Sequence, residues 1–173
     1  KEWNAEISAV LSNYDLLRDF TERFGISYHH VSANQLSRED HEQQLIEVID
    51  GYSPDFIVLA RYMRILTPGF VQHYQGRIIN IHHSFLPAFI GAQPYLQAYN
   101  RGVKIIGATA HFVNENLDEG PIICQDVIPV DHTQNAGEMA RAGKGVEKMV
   151  LAQAIKLVLE DRVMLSGSRT VIF

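Results

Sequence analysis

The chain has 173 residues, 46% of them apolar and 20% charged, which suits one soluble globular domain with a real core. A net charge of −5 without any basic run argues against a nucleic-acid surface, and no stretch approaches the roughly 18 apolar residues of a membrane span. Cys124 is the only cysteine, which excludes an internal disulfide or a Cys-rich metal site; inside Pro121-Ile122-Ile123-Cys124 it reads as a small packed residue.

Residues 1–11 hold no signal-peptide h-region, so a cytoplasmic location is expected. Residues 7–11 predict a strand, and Asn13 offers an N-cap for a helix over 14–24 that Gly25 stops. A second short strand covers 28–31. Residues 39–52 carry Leu45, Ile46, Val48 and Ile49 among charges, as a helix packed on one side would. The continuous apolar run 56–60 predicts a strand buried on both faces. Pro68 opens a short helix ending near Gly76, and 77–82 is the next strand. Strands alternating with helices in this way predict a parallel sheet with helices on its faces.

The second half reads differently. Residues 104–113 and 122–130 are strands joined by a loop too short for a helical crossover, so antiparallel pairing is expected. A long helix over 136–159 lines up Met139, Ala142, Val146, Val150, Ala154 and Leu157 on one face, and 170–173 can add a last strand. There is no internal repeat, low-complexity segment or interdomain linker. The chain opens almost directly on a strand, which suggests missing N-terminal material.

Polar chemistry concentrates at the end of the strand at 77–82. Asn80 and His82 are two apart and share a strand face at its carboxyl end, where open α/β sheets bind ligands. The apolar loop that follows, with Pro87 and Gly91, can wall a pocket. The bland alternative makes Asn80 a strand-end cap and His82 a satisfied histidine. Asp118, ahead of Glu119-Gly120-Pro121, is either a turn residue or a carboxylate folded over the sheet edge toward His82. Together the three suit acyl or formyl transfer. An amide donates to a developing oxyanion, an imidazole shuttles a proton, and a carboxylate favours protonated imidazole and can deprotonate water.

Other constellations are weaker. A metal site from His82, His83, His111 and Asp118 is disfavoured because neighbours on a strand point to opposite faces, and no His-Glu-x-x-His pattern exists. Ser84 lacks a Gly-x-Ser-x-Gly elbow, and Gly-x-Gly-x-x-Gly is absent, so neither a serine nucleophile nor a dinucleotide is indicated. His29 and His30 read as edge residues. His111 shares a face with Thr109 and either lines the pocket or closes the core edge.

Asn80-Ile81-His82-His83-Ser84-Phe85-Leu86-Pro87-Ala88-Phe89 and Leu117-Asp118-Glu119-Gly120-Pro121 resemble the signatures of folate-dependent formyltransferases. The second histidine resembles the formyltetrahydrofolate deformylase branch, where glycinamide ribonucleotide transferases tend to have proline. Leu59-Ala60-Arg61-Tyr62-Met63-Arg64-Ile65-Leu66, Gly107-Ala108-Thr109-Ala110-His111-Phe112-Val113 and Leu159-Glu160-Asp161-Arg162-Val163 fit the same branch, so the likeness spans essentially the whole chain.

The resemblance implies a Rossmann-like α/β formyltransferase fold that hydrolyses 10-formyltetrahydrofolate to tetrahydrofolate and formate for purine synthesis. It implies that Asn80 and His82 polarise the formyl carbonyl while Asp118 manages water and proton transfer. The pterin would lie on the backbone of Arg64, Ile65 and Leu66, with Ile65, Leu66, Phe89 and Ile90 against its faces and His111 nearby. No metal and no cofactor beyond the folate are expected, and a homo-oligomer is. Two alternatives are a transferase handing the formyl group to an amine such as glycinamide ribonucleotide, and a non-catalytic folate-binding module. Family members usually carry an N-terminal amino-acid-binding (ACT) domain, which these residues do not include. The first strand and helix of the catalytic domain are expected to be missing too. Leu96 stands where the family has histidine.

Overall fold

The computed structural model describes residues 3–89, 91 and 93–173. The elements run β1 (Ala9–Ser12), α1 (Arg18–Glu22), β2 (Ser27–His30), α2 (Arg38–Tyr52), β3 (Ile57–Leu59), α3 (Pro68–His73) and β4 (Ile78–His82). They continue with α4 (Pro94–Arg101), β5 (Ile105–Phe112), β6 (Ile122–Pro129), α5 (Ala136–Leu159), β7 (Val163–Ser166) and β8 (Arg169–Ile172). β1 pairs with β2 and β3 with β4, both parallel, whereas β4–β5, β5–β6 and β7–β8 are antiparallel. The α/β class and the change of pairing in the second half follow the expectation from sequence. No helix among the described residues is long and apolar enough to cross a membrane.

The four-stranded sheet runs in the order β3-β4-β5-β6. Ile79 and Ile81 of β4, with Ala108, Ala110, Phe112 and Ile123 of β5 and β6, pack against Val146, Val150, Ala154, Leu157 and Val158 of α5. That helix starts cleanly because Asn135 and Glu138 form a reciprocal capping box. The alternate residue Ile78 faces the other way, into a cluster of Leu45 and Ile49 from α2 with Phe70 and Tyr74. By the same alternation Asn80 and His82 leave β4 on the side away from α5.

Two expectations change and a third is extended. The helix foreseen over 14–24 shrinks to α1, because Leu17 offers no side-chain cap and Leu16, Leu17, Phe20 and Phe24 stay exposed, leaving no packed face to hold more turns. The run at 56–60 is not buried on both faces. Among the described residues β3 is an edge strand paired with β4 alone, and Val58 is 39% exposed. The last strand expected over 170–173 is present as β8; the sequence missed its hairpin partner β7, with the turn at Gly167 at φ +61.

Candidate active site

Parallel pairing of β3 with β4 sets Leu59 beside Asn80, so both strands release their chains at one sheet edge. Antiparallel pairing sets His111 of β5 directly opposite Asn80, and Thr109 opposite His82. A register shift between Ala110 and His111 interrupts the β5–β6 ladder at this point, as bulges beside functional sites do.

Asp118 arrives from the loop between β5 and β6. Its own backbone is left-handed, with φ +57, a conformation that aspartate tolerates better than most residues. Gly120 lets this loop close down on β5. A Cβ at Gly120 would sit 1.7 Å from the Phe112 carbonyl oxygen, so no other residue fits without moving backbone. The Phe112 N–H donates to the Pro121 carbonyl at 2.9 Å and fixes the closed loop. Thus the Glu-Gly-Pro turn aims the carboxylate at the sheet edge.

There His82 Nδ1 lies 3.2 Å from Asp118 Oδ2, with the two side chains only 6% and 7% exposed. His82 Nε2 lies 3.4 Å from the Phe89 carbonyl oxygen. Both ring nitrogens therefore face acceptors, and a protonated ring satisfies both. Burial pushes the Asp118 carboxyl up, but the His82 hydrogen bond and charge, His111 and the Gly91 N–H together hold it below the usual carboxylate range. Asp118 is ionised at neutral pH.

His111 is 2% exposed, and its Nδ1–H donates to the Phe112 carbonyl at 2.8 Å. That acceptor fixes the tautomer, so Nε2 of the neutral ring accepts from Asn80 Nδ2 at 3.3 Å. Burial lowers the His111 pKa, with its Phe112 hydrogen bond and Asp118, 3.8 Å away, opposing. One Asn80 N–H is thereby committed to His111, which leaves the second amide hydrogen for another acceptor.

The loop after β4 is braced from behind. Thr109 Oγ1 donates to the Ser84 carbonyl at 2.8 Å and accepts from the Leu86 N–H at 3.0 Å. Gln125 Nε2 donates to both Thr109 Oγ1 and the Leu86 carbonyl. Sequence reasoning missed this bracket, since its partners come from three separate segments.

The other expected ligand residues fall in distinct places. Arg64, Ile65 and Leu66 follow β3 at the same edge. Ile65 is half exposed, whereas Leu66 packs into the α2–α3 cluster and offers a ligand chiefly its backbone. The buried Glu42 of α2 anchors the end of this segment by accepting from the N–H and hydroxyl of Thr67, another contact the sequence did not signal. Phe89 packs against Ala98 and Ile106 while its carbonyl faces His82. Ile90 lies outside the described residues.

The argument from strand alternation does not apply to His82 and His83. β4 ends at His82, and the two rings stack with centroids 5.3 Å apart and planes 19° apart. Among the described residues no three His, Cys, Asp or Glu are grouped to hold a metal ion. A cavity of about 400 Å³ at the end of α4, lined by Tyr99, Val103, Lys104, His132 and Met139, contains none of the polar centre and is set aside on chemical grounds.

Residues 1–155 match the family model described as formyl transferase. The chain is 61% identical over 169 residues to a formyltetrahydrofolate deformylase of Escherichia coli O6:H1, covering 98% of this chain and 60% of that protein. The Bacillus subtilis protein of the same name is 53% identical, with 98% and 56% covered. Among solved structures, a formyltetrahydrofolate deformylase from Pseudomonas syringae superposes with a TM-score of 0.96 at 46% identity, over 99% of this chain and 58% of that one. Glycinamide ribonucleotide transformylase 1 from Symbiobacterium toebii gives 0.94 at 32% identity, over 99% and 82%. The chain thus spans about 60% of the length of the curated relatives it matches first.

Proposed function

The chain belongs to the formyl transferase family, and on that premise we propose that it hydrolyses 10-formyltetrahydrofolate to tetrahydrofolate and formate. One observation carries the reading: a buried His82–Asp118 pair at 3.2 Å stands beside Asn80 at a strand edge, in a chain 61% identical to a formyltetrahydrofolate deformylase.

In this reading the formyl oxygen accepts the free Asn80 N–H and lies near protonated His82. Water adds its oxygen to the formyl carbon, and Asp118 takes one of its protons. The carbonyl pair moves to oxygen, where the amide and imidazolium hold the new negative charge. As the carbonyl re-forms, the bond from carbon to N10 breaks. N10 receives the proton held by the His82–Asp118 pair, and the departing formic acid ionises to formate. The water-poor setting of the pair strengthens each of these interactions. Arg64, Ile65 and Leu66 would present backbone groups to the pterin, with Phe89 and Ile90 beside its face and His111 holding Asn80. The same reading makes residues 1–173 catalytic, with no metal and no nucleic-acid or membrane partner. It places the protein in the cytoplasm as a homo-oligomer whose formate feeds purine synthesis.

A second reading, transfer of the formyl group to an amine, is favoured by the likeness to the Symbiobacterium toebii transformylase, 82% of which the chain covers. Formate release from 10-formyltetrahydrofolate with and without glycinamide ribonucleotide separates the two. Release without the amine supports hydrolysis; strict dependence on it overturns that reading.

A further inference from the structure

His83 is half-buried directly after the last paired residue of β4, and its ring is held on both sides. One face stacks on His82, and the other on Tyr95 with centroids 6.0 Å apart and planes 26° apart. Tyr95 in turn lies flat on α5 at Gly143, where a Cβ would come within 2.0 Å of the tyrosine oxygen. The Tyr95 hydroxyl donates to Glu147 Oε1 at 2.7 Å, and Glu147 Oε2 meets Arg61 at 3.4 Å. Glu147 is 8% exposed, so its carboxylate is committed to these two partners. Arg61 reaches it from a left-handed backbone with φ +55, a strained setting for a residue other than glycine.

This column fixes the plane of His83 while using neither of its nitrogens, which make no hydrogen bond among the described residues. Burial pushes the His83 pKa down, and the charges of His82 and Arg61 add to this against the opposing pull of Glu147 and Asp118. At neutral pH the ring is uncharged and offers one lone pair.

We propose that His83 is a further catalytic residue, which accepts a hydrogen bond from the attacking water and holds it beside the His82–Asp118 pair. The inference rests on the hydrolase reading above. One water hydrogen points to the His83 lone pair, and the other is the proton that Asp118 takes. His83 therefore ends the step unchanged, and its work is orientation. Tyr95, Glu147 and Arg61 are positioning residues that act through it.

His83→Phe tests this directly, because phenylalanine keeps the stack and removes the lone pair. Formate release without amine is followed for the wild type, His83→Phe and His83→Gln, with thermal melts to show that each is folded. Transfer of the formyl group to added hydroxylamine, which needs no held water, is measured alongside. The expected result is a kcat for hydrolysis lowered about 10²-fold in His83→Phe, on the scale of a lost proton-handling group, with KM within about twofold. Hydroxylamine transfer should be kept, and His83→Gln, which restores an acceptor, should recover part of the rate. Hydrolysis by folded His83→Phe at the wild-type rate, or equal loss of hydrolysis and transfer, overturns the proposal. If the wild type itself releases no formate without an amine, the hydrolase reading has failed instead, and the His83 variants are not needed to see it.

Discussion

The two ends of this chain are built to different standards. Around β4, β5 and α5 the sheet is closed on both faces, and Ile79, Ala108, Ala110, Val146 and Val150 are all at most 1% exposed. Across β1, α1 and β2, Leu16, Leu17, Phe20 and Phe24 face solvent and one helix runs only five residues. Asn80, His82, His111 and Asp118 all hang on the dense half. Strand register there holds these side chains in place more reliably than an uncapped helix can. The difference teaches that precision at this site comes from the β4–β5 pairing and the Gly120 turn, with the N-terminal elements contributing little to it.

Changes on the two sides should therefore separate sharply. Asp118→Asn keeps the shape of the site and removes the proton acceptor. Turnover should fall by about 10²–10⁴-fold with folate binding within a few-fold, measured by steady-state kinetics and ligand titration. Unchanged turnover in a folded variant counts against the whole mechanism. Ile79→Ala opens a cavity under α5 and should cost about 2–5 kcal/mol in denaturant unfolding. Gly120→Ala should cost about 1–3 kcal/mol, because the Phe112 backbone must give way. It should also lower kcat, since the Asp118 loop can no longer seat. Leu16→Ser, on the sparse side, should stay within about 0.5 kcal/mol and leave kcat alone. A large loss there would show that the N-terminal elements matter to the site after all.

Acid should weaken the dense half first. Asp118 has a folded pKa below its unfolded one, so the unfolded chain binds the proton first as pH falls. Its stabilisation is complete above the ordinary carboxylate range and is lost as pH drops through that range toward the folded value. His111 adds loss at higher pH. Its folded pKa is also lowered, so the unfolded chain protonates first once pH falls below the ordinary imidazole value near 6.5. Melting temperature against pH should slope downward through both windows, and Asp118→Asn should flatten the lower one.

The same contrast explains what the sequence could reveal. α5 was legible because the Met139-to-Leu157 stripe is a local signal, although the Asn135–Glu138 capping box that starts it was not read from the sequence. Asn80 and His82 were legible as a pair because alternation puts them on one face. Asp118 was not, from spacing alone; it reached the centre only through the family resemblance. Its contact with His82 depends on a close approach at Gly120 that reads as an ordinary turn until the backbone of β5 is beside it. The Tyr95–Glu147–Arg61 support of His83 joins residues 52 and 86 positions apart, beyond any local pattern. The helix over 14–24 failed for the opposite reason. Its local signals were present, but no packed face rewarded them.

Hydrolysis of 10-formyltetrahydrofolate in ¹⁸O-labelled water, without any amine, tests the central claim most directly. Attack by water predicts formate and tetrahydrofolate in equal amounts, with one labelled oxygen in each formate, and loss of both products in Asp118→Asn. No formate until an amine is supplied, with the formyl group then found on that amine, would contradict it.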